Sequence, residues 1–290
     1  MSIKRIGIIG GSGMYDIPGL EPKDRQRIST PFGEPSDEID LADLDGRSIA
    51  FLPRHGRGHR LLPSEINYRA NVYALKKLGV EWIVSISAVG SLKKEIEPLD
   101  VVLVDQFFDR TANRSASFFG DGLAAHVAFA EPVCPTVRRI LYEAGQEEGV
   151  GARIHWGGTY CNIDGPAFST KAESNVYRAW GCDVIGMTNG TEAKLAREAE
   201  MCFATMALVT DYDAWMTEET ETVSVGLVLD NLKKSTATAK SILINAIQKI
   251  PTEEPCRCRS ALKGALVTNP HLIPVATRAK LDIIIGKYFR

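Results

Sequence analysis

The feature that most constrains this chain is a series of short, almost wholly apolar runs. Ile6-Gly7-Ile8-Ile9, Trp82-Ile83-Val84, Val101-Val102-Leu103-Val104, Val184-Ile185 and Met206-Ala207-Leu208-Val209 recur along it. Such runs lack the polar alternation of a half-solvated strand, so they predict strands buried on both faces. The segments between them keep a helical period. Pro63-Ser64-Glu65 opens one helix, with Gly79 as its stop. Others are expected over 135–146, 171–180 and about 191–199, with Thr188 able to cap the last of these. A long amphipathic helix is expected from Ser224 to about Ile250, then a charged connector over 251–259 and a final helix over 274–289. Strands are also expected over 99–105 and 153–160. The segment 106–131 shows no clear period but holds Phe107, Phe108, Phe118, Phe119 and His126. A loop of that length usually has a function, and aromatics at that density favour packing against something, a neighbouring subunit included. Strands alternating with helices predict an α/β fold: one domain over 1–290, a mixed, largely parallel central sheet flanked by helices, and 251–290 as a C-terminal helical extension.

Function classes narrow quickly. A net charge of −2 gives no electrostatic reason to expect nucleic acid or an anionic membrane as partner. No apolar run approaches the ~20 residues of a membrane span. The N-terminus runs directly into a strand, which predicts a cytoplasmic protein without a cleaved signal. The cysteines at 134, 161, 182, 202, 256 and 258 include no CxxC pair, so no metal site is expected. Cys256 and Cys258 are expected as free thiols.

Chemistry concentrates at the strand ends. The run from Thr205 delivers Asp211 and Asp213, which share a side if the extended geometry holds. Two acids ending a buried strand are costly to ionise and raise each other's pKa, which suits one of them to hold a proton and give it away. A solvated turn that merely ends the strand is the other reading. Gly10-Gly11-Ser12-Gly13 lacks the spacing of a dinucleotide fingerprint and has no Walker lysine. What remains is a loop whose amides and Ser12 hydroxyl can face a small anion, or a plain tight turn. Arg54-His55-Gly56-Arg57-Gly58-His59-Arg60 is a dense cationic cluster. Arg54 offers a planar fork suited to phosphate, and the glycines make a helical zinc pair of His55 and His59 improbable. Small residues in Ser87-Ala88-Val89-Gly90-Ser91 let a ligand approach the backbone, and Thr188 stands at a helix start suited to an anion. Phe168 can be core or a stacking platform for a base, and composition alone favours the core. Because ligands of open α/β sheets bind beyond the carboxyl ends of the strands, these residues can converge on one crevice. An anion cradle, an aromatic and a paired acid fit phosphorolysis of a glycosidic bond.

The residues also resemble a known family. Gly10-Gly11-Ser12-Gly13, Thr30-Pro31-Phe32-Gly33, Arg54-His55-Gly56, Asn67-Tyr68-Arg69-Ala70-Asn71, Ser87-Ala88-Val89-Gly90-Ser91-Leu92, Asp105-Gln106-Phe107, Ala130-Glu131-Pro132, Gly165-Pro166, Phe168-Ser169, Ala172-Glu173-Ser174 and Thr210-Asp211-Tyr212-Asp213 together are similar to the methylthioadenosine phosphorylases of the trimeric purine nucleoside phosphorylase superfamily. The resemblance spans roughly residues 4–250. It implies a nucleoside phosphorylase-like fold, a homotrimer (or dimer of trimers), a role in purine and methionine salvage, and no cofactor, inorganic phosphate being a co-substrate. It implies phosphate held by Ser12, Arg54, His55, Ser87, the Ala88 amide and Thr188. Met187 would lie against the ribose, Phe168 with Ser169 against the purine, and Asp211 and Asp213 would read the base. Val225 and Val228 would line the methylthio pocket with His126 of a neighbouring subunit. Asn stands at the Asp211 position in the 6-oxopurine enzymes, so Asp211 favours a 6-aminopurine. A phosphorylase for inosine or methylthioinosine is the nearest alternative, and a non-catalytic nucleoside-binding protein on the same fold is another. Two departures from the family pattern stand out: Ala167 replaces a longer polar residue, and Gly190-Thr191 before Glu192 lacks a proline, which is expected to loosen the entry to that helix.

Overall fold

The apolar runs become the middle of one sheet. The computed structural model describes residues 4–11, 13–14, 17, 19–20, 22–112, 114–147, 150–216, 225–251 and 256–289. In chain order the elements are β1 (Arg5–Gly10), β2 (Pro22–Gln26), β3 (Ile39–Leu44), β4 (Arg47–Pro53), α1 (Tyr68–Lys77), β5 (Val80–Ser91), β6 (Val101–Leu103), β7 (Gln106–Asp109), α2 (Pro135–Gly145), β8 (Ile154–Trp156), β9 (Thr159–Asn162), α3 (Lys171–Ala179), β10 (Val184–Gly186), α4 (Asn189–Glu198), β11 (Cys202–Tyr212), α5 (Val225–Lys249) and α6 (Val275–Ile285). Among the described residues the sheet has 11 strands.

β5 is its hub. It runs parallel to β1 and to β11, and its last residues pair antiparallel with β10. Most remaining pairs are parallel; the exceptions are β2 with β3, β3 with β4, and β6 with β11. The sheet is therefore mixed and largely parallel, with helices on both faces. Neighbouring residues of one strand point to opposite layers, as the pleat requires. Ile8, Val84 and Met206 pack with α2 and α5, whereas Ile9, Ile83 and Phe203 pack with α1, α4 and α6. Every residue of β11 is buried. That is why its sequence contains no polar alternation until its last residues.

Several boundaries differ from expectation, each for a local reason. The first helix begins at Tyr68, not Pro63, because Asn67 is the cap: its side chain accepts from the Ala70 amide at 3.1 Å. Ahead of it the Glu65 carboxylate bonds the Leu62 amide at 2.9 Å and holds a turn. The strand expected over 153–160 is two strands, broken where Gly157 and Gly158 take positive φ. The 106–131 segment contains β7, four residues at the end of the sheet path with too short an alternation to register. Part of its aromatic content packs within the chain: Phe118 is buried, 5.3 Å ring to ring from Phe32. β2 shows no apolar signal, since Pro22–Gln26 is almost wholly exposed. After α5 the chain returns to the core through Leu262, Ile273, Leu281 and Ile285. No described helix is long and apolar enough to cross a membrane.

Candidate active site

A cavity of about 540 Å³ opens beyond the carboxyl ends of β1, β4, β5, β10 and β11. Asp211 and Asp213 both line it, so the shared side expected of them is observed. The register explains their placement. Val209 pairs with Val89 but Asp211 pairs with Gly90, which leaves Thr210 as the extra residue of a bulge. Bulges re-aim side chains, and here the bulge falls at the acids. Gly90 makes room for them: a Cβ there would sit 3.2 Å from Asp211 Oδ2 and 3.4 Å from Asp213 Cβ. Asn231 of α5 donates to the Thr210 carbonyl at 2.8 Å and fixes the bulge from outside.

Asp211 is 5% exposed. Burial raises its pKa to about 7; the Thr210 hydroxyl, donating to Oδ1 at 2.6 Å, opposes the shift, and the Asp213 charge adds a smaller push. Burial also raises the pKa of Asp213, opposed by the Ser174 and Ser169 hydroxyls, and among the described residues its Oδ2 has no close hydrogen-bond partner. Of the two causes expected, burial and mutual repulsion, burial is the larger at Asp211. An acid poised near neutrality, beside a second carboxyl oxygen without a donor, can present one proton and accept another hydrogen bond.

The cationic side is built around Arg54, 2% exposed. Its Nε donates to Glu192 Oε1 at 2.5 Å and its Nη2 to Glu192 Oε2 at 3.1 Å and Ser85 Oγ at 2.6 Å. Nη1 donates to the Ile86 carbonyl at 2.8 Å. A guanidinium has five N–H groups, so one on Nη1 is left for the cavity that Arg54 lines. The planar fork expected to grip an anion is therefore occupied by a carboxylate. Burial alone would depress the Arg54 pKa, and Glu192 more than offsets it, so the charge persists. Ser85 and Asn189 complete the pair: the Ser85 hydroxyl donates to Glu192 Oε2 at 2.6 Å, and Asn189 Nδ2 donates to the same oxygen at 3.0 Å.

His55 lies beside it. Its Nδ1 is 2.9 Å from the Leu61 carbonyl, which can only accept, so Nδ1 carries the proton. Burial and the Arg54 charge lower its pKa to about 4, and the ring is neutral at pH 7. The His59 ring stacks on it at 4.2 Å. Ser87, Ala88 and Thr188 line the same cavity. Thr188 is the N-cap residue of α4, but its side chain makes no capping bond, contrary to expectation. Its hydroxyl accepts from Asn189 Nδ2 at 3.4 Å, with the cavity alongside. α4 begins at Asn189 even without the proline. The Gly190 amide donates to Asn162 Oδ1 at 3.0 Å, which supplies the anchoring. Ser12 lies outside the described residues; Gly11 next to it lines the cavity.

Met187, Phe168, Ser169 and Val228 line the remaining walls. Phe168 is 46% exposed, which overturns its compositional placement in the core. It follows the Gly165–Pro166 turn, whose peptide bond is cis. Ala167 is exposed and is not among the lining residues. The side chain of Val225 lies outside the described residues. His126 is exposed and does not line the cavity of its own chain; its amide bonds the Ala265 carbonyl at 2.9 Å.

Glu192, Ser85 and Asn189 were missed as site residues. The available signal was Glu192 itself, an acid in the first turn of a helix. Nothing local reveals that Arg54, 138 positions away, needs it.

The phosphorylase superfamily model matches residues 5–248. A Koribacter versatilis protein named S-methyl-5'-thioadenosine phosphorylase is 54% identical over 284 residues, covering 98% of this chain and 96% of the relative. One of the same name from Geobacter sulfurreducens is also 54% identical, covering 98% of both. Among solved structures, a methylthioadenosine phosphorylase from an Antarctic soil metagenomic library superposes with a TM-score of 0.92 at 48% identity, covering 98% of this chain and 99% of the other. The Schistosoma mansoni methylthioadenosine phosphorylase in complex with adenine gives 0.85 at 35% identity, covering 90% and 98%. With a matched model across most of its length and such relatives across nearly all of it, this chain belongs to the S-methyl-5'-thioadenosine phosphorylase family of the phosphorylase superfamily.

Proposed function

We propose that this chain is a pentosyltransferase that cleaves 5'-methylthioadenosine with inorganic phosphate, giving adenine and 5-methylthioribose 1-phosphate. The observation that carries the reading is Asp211: a buried acid poised near pH 7 on the wall of a cavity that Arg54, His55 and Thr188 also line. Adenine offers N7 as acceptor and its 6-amino group as donor. Protonated Asp211 donates to N7, and the carboxyl oxygens of Asp211 and Asp213 accept from the amino group. As the C1'–N9 bond breaks, its electron pair moves onto the purine, and the proton shifts from Asp211 to N7. A phosphate oxygen bonds to C1' as the sugar acquires oxocarbenium character. Phosphate needs only to be positioned, because it is itself the nucleophile. The ester product is more acidic than phosphate, and its proton balances the one delivered to the base.

In this assignment Ser12, Arg54, His55, Ser87, the Ala88 amide and Thr188 hold phosphate. Met187 packs on the ribose, Phe168 and Ser169 face the purine, and Val225 and Val228 border the 5'-methylthio group. The reaction so described requires no cofactor. The chain acts as a homotrimer, with His126 of one subunit completing the neighbour's pocket. That arrangement is supported by a His126 that is exposed and absent from the lining of its own cavity.

Release of free base from methylthioadenosine, adenosine and inosine, with and without phosphate, tests the proposal. Phosphate-dependent adenine release from methylthioadenosine is expected. Faster cleavage of inosine would favour the 6-oxopurine reading. Binding without base release would leave a nucleoside-binding protein.

A further inference from the structure

Four of the six cysteines, far apart in sequence and at the opposite end of β11 from Asp211, meet at one point. Cys134 immediately precedes α2, Cys202 opens β11, and Cys256 and Cys258 lie in the segment after α5. Their Sγ atoms all fall within 4.8 Å of one another. Cys134, Cys202 and Cys258 are buried and Cys256 is half-buried. We propose that these four thiols form a tetrathiolate site for a zinc ion that fastens the C-terminal segment to the sheet.

The geometry favours a metal over packed thiols. Zinc–sulfur bonds of about 2.3 Å in a tetrahedron place the sulfurs about 3.8 Å apart. Cys134 Sγ and Cys256 Sγ are 3.7 Å apart. Apolar packing of thiols does not need four sulfurs to face a common centre; a tetrahedral ion does. The surroundings are those of a closed structural site. Val137, Ile140, Ile250 and the α5 residues Ala246 and Ile247 share a core cluster with Cys134, Cys202 and Cys258, and no fourth position is left open for water. Binding is balanced by proton release: four thiols lose four protons, and the zinc tetrathiolate carries two negative charges. The positive N-terminal end of α2, next to Cys134, faces that charge. The sequence hid the site because its ligands come from three segments, with 122 positions between Cys134 and Cys256. Closing that loop constrains the unfolded chain as well as the folded one.

The site is structural. Nine residues separate Cys202 from Asp211 along β11, or about 30 Å at ~3.3 Å per residue. The test uses the full chain with a non-histidine tag. Metal content is measured as purified and after incubation with Zn²⁺, intact mass without reductant, and the absorption of the Co²⁺-loaded protein. The proposal expects about one zinc per chain, the mass of six reduced cysteines after acid release of the metal, and the intense visible bands of tetrahedral thiolate cobalt. Cys258→Ser should lower the sulfur-to-cobalt charge-transfer intensity by roughly a quarter, one of four thiolates being gone, and should leave base release intact. The double variant Cys256→Ser/Cys258→Ser should bind no stoichiometric metal and melt at lower temperature. If the doubly substituted chain does not fold, the single variant's cobalt spectrum still decides. A mass lower by two or four hydrogens with no metal bound would assign disulfides instead. Free thiols that take up neither Zn²⁺ nor Co²⁺ would overturn the site.

Discussion

Replacing Asp211 by Asn tests the central chemistry and the physics behind it in one variant. The amide is nearly isosteric, and the Thr210 hydroxyl, 2.6 Å from Oδ1, keeps an acceptor. What is lost is a transferable proton, so phosphate-dependent adenine release should fall about 10²–10⁴-fold, the usual worth of general-acid help. In the wild type, log kcat/KM should decline above pH ~7 as Asp211 ionises, and that limb should vanish in the variant. Stability should move the other way. The folded pKa of about 7 lies above the ordinary 3.8, so the native state holds a proton that the unfolded chain releases. The contribution is fully present below pH ~4 and is lost as pH rises to about 7. The gap between those two values corresponds to about 4 kcal/mol. At pH 8, ligand-free Asp211→Asn should therefore be more stable by up to about 4 kcal/mol, or roughly 8 °C in Tm. At pH 4 the two should melt together. Phosphate must be absent, since any ligand would stabilise the native state by mass action. Equal activity, or a stability difference independent of pH, would refute the reasoning.

Three further substitutions or measurements probe the other walls. Glu192→Gln leaves Arg54 charged and buried without its counter-ion; it should cost about 3–5 kcal/mol in denaturant unfolding and raise the KM for phosphate, and an unchanged Cm would disprove the pairing. Phosphate binding should take up protons between pH 6 and 8, because a neutral His55 with its Nδ1 proton committed to Leu61 must protonate Nε2 to donate to a dianion; calorimetry in buffers of different ionisation enthalpy measures this, and identical heats would exclude it. Phe168→Ala should lower kcat/KM for the nucleoside by roughly 1–3 kcal/mol of lost stacking without altering Tm, because the ring is 46% exposed; a large loss of stability would instead make it a packing residue.

Much of the site was legible because its residues end apolar strands. Asp211 follows a run that must be buried, and Arg54 directly follows β4, while Ser87 lies within the carboxyl-terminal half of β5. Helix starts were less legible: Asn67 rather than Ser64 caps α1, since the choice depends on which side chain reaches the Ala70 amide. Glu192 and the four-cysteine cluster were invisible, because each depends on partners more than a hundred positions away.

The sequence alone determined the buried strands, their alternation with helices, and the acid and cationic groups stationed where the strands stop. Those follow from local hydrophobicity and from the pleat, which any short window records. Only the tertiary structure decided that Glu192 fills the Arg54 fork, that a bulge at Thr210 and the bare backbone of Gly90 set Asp211 in the cavity wall, and that burial tunes its proton. Desolvation and long-range ion pairing are properties of the whole packed chain, and no segment encodes them by itself.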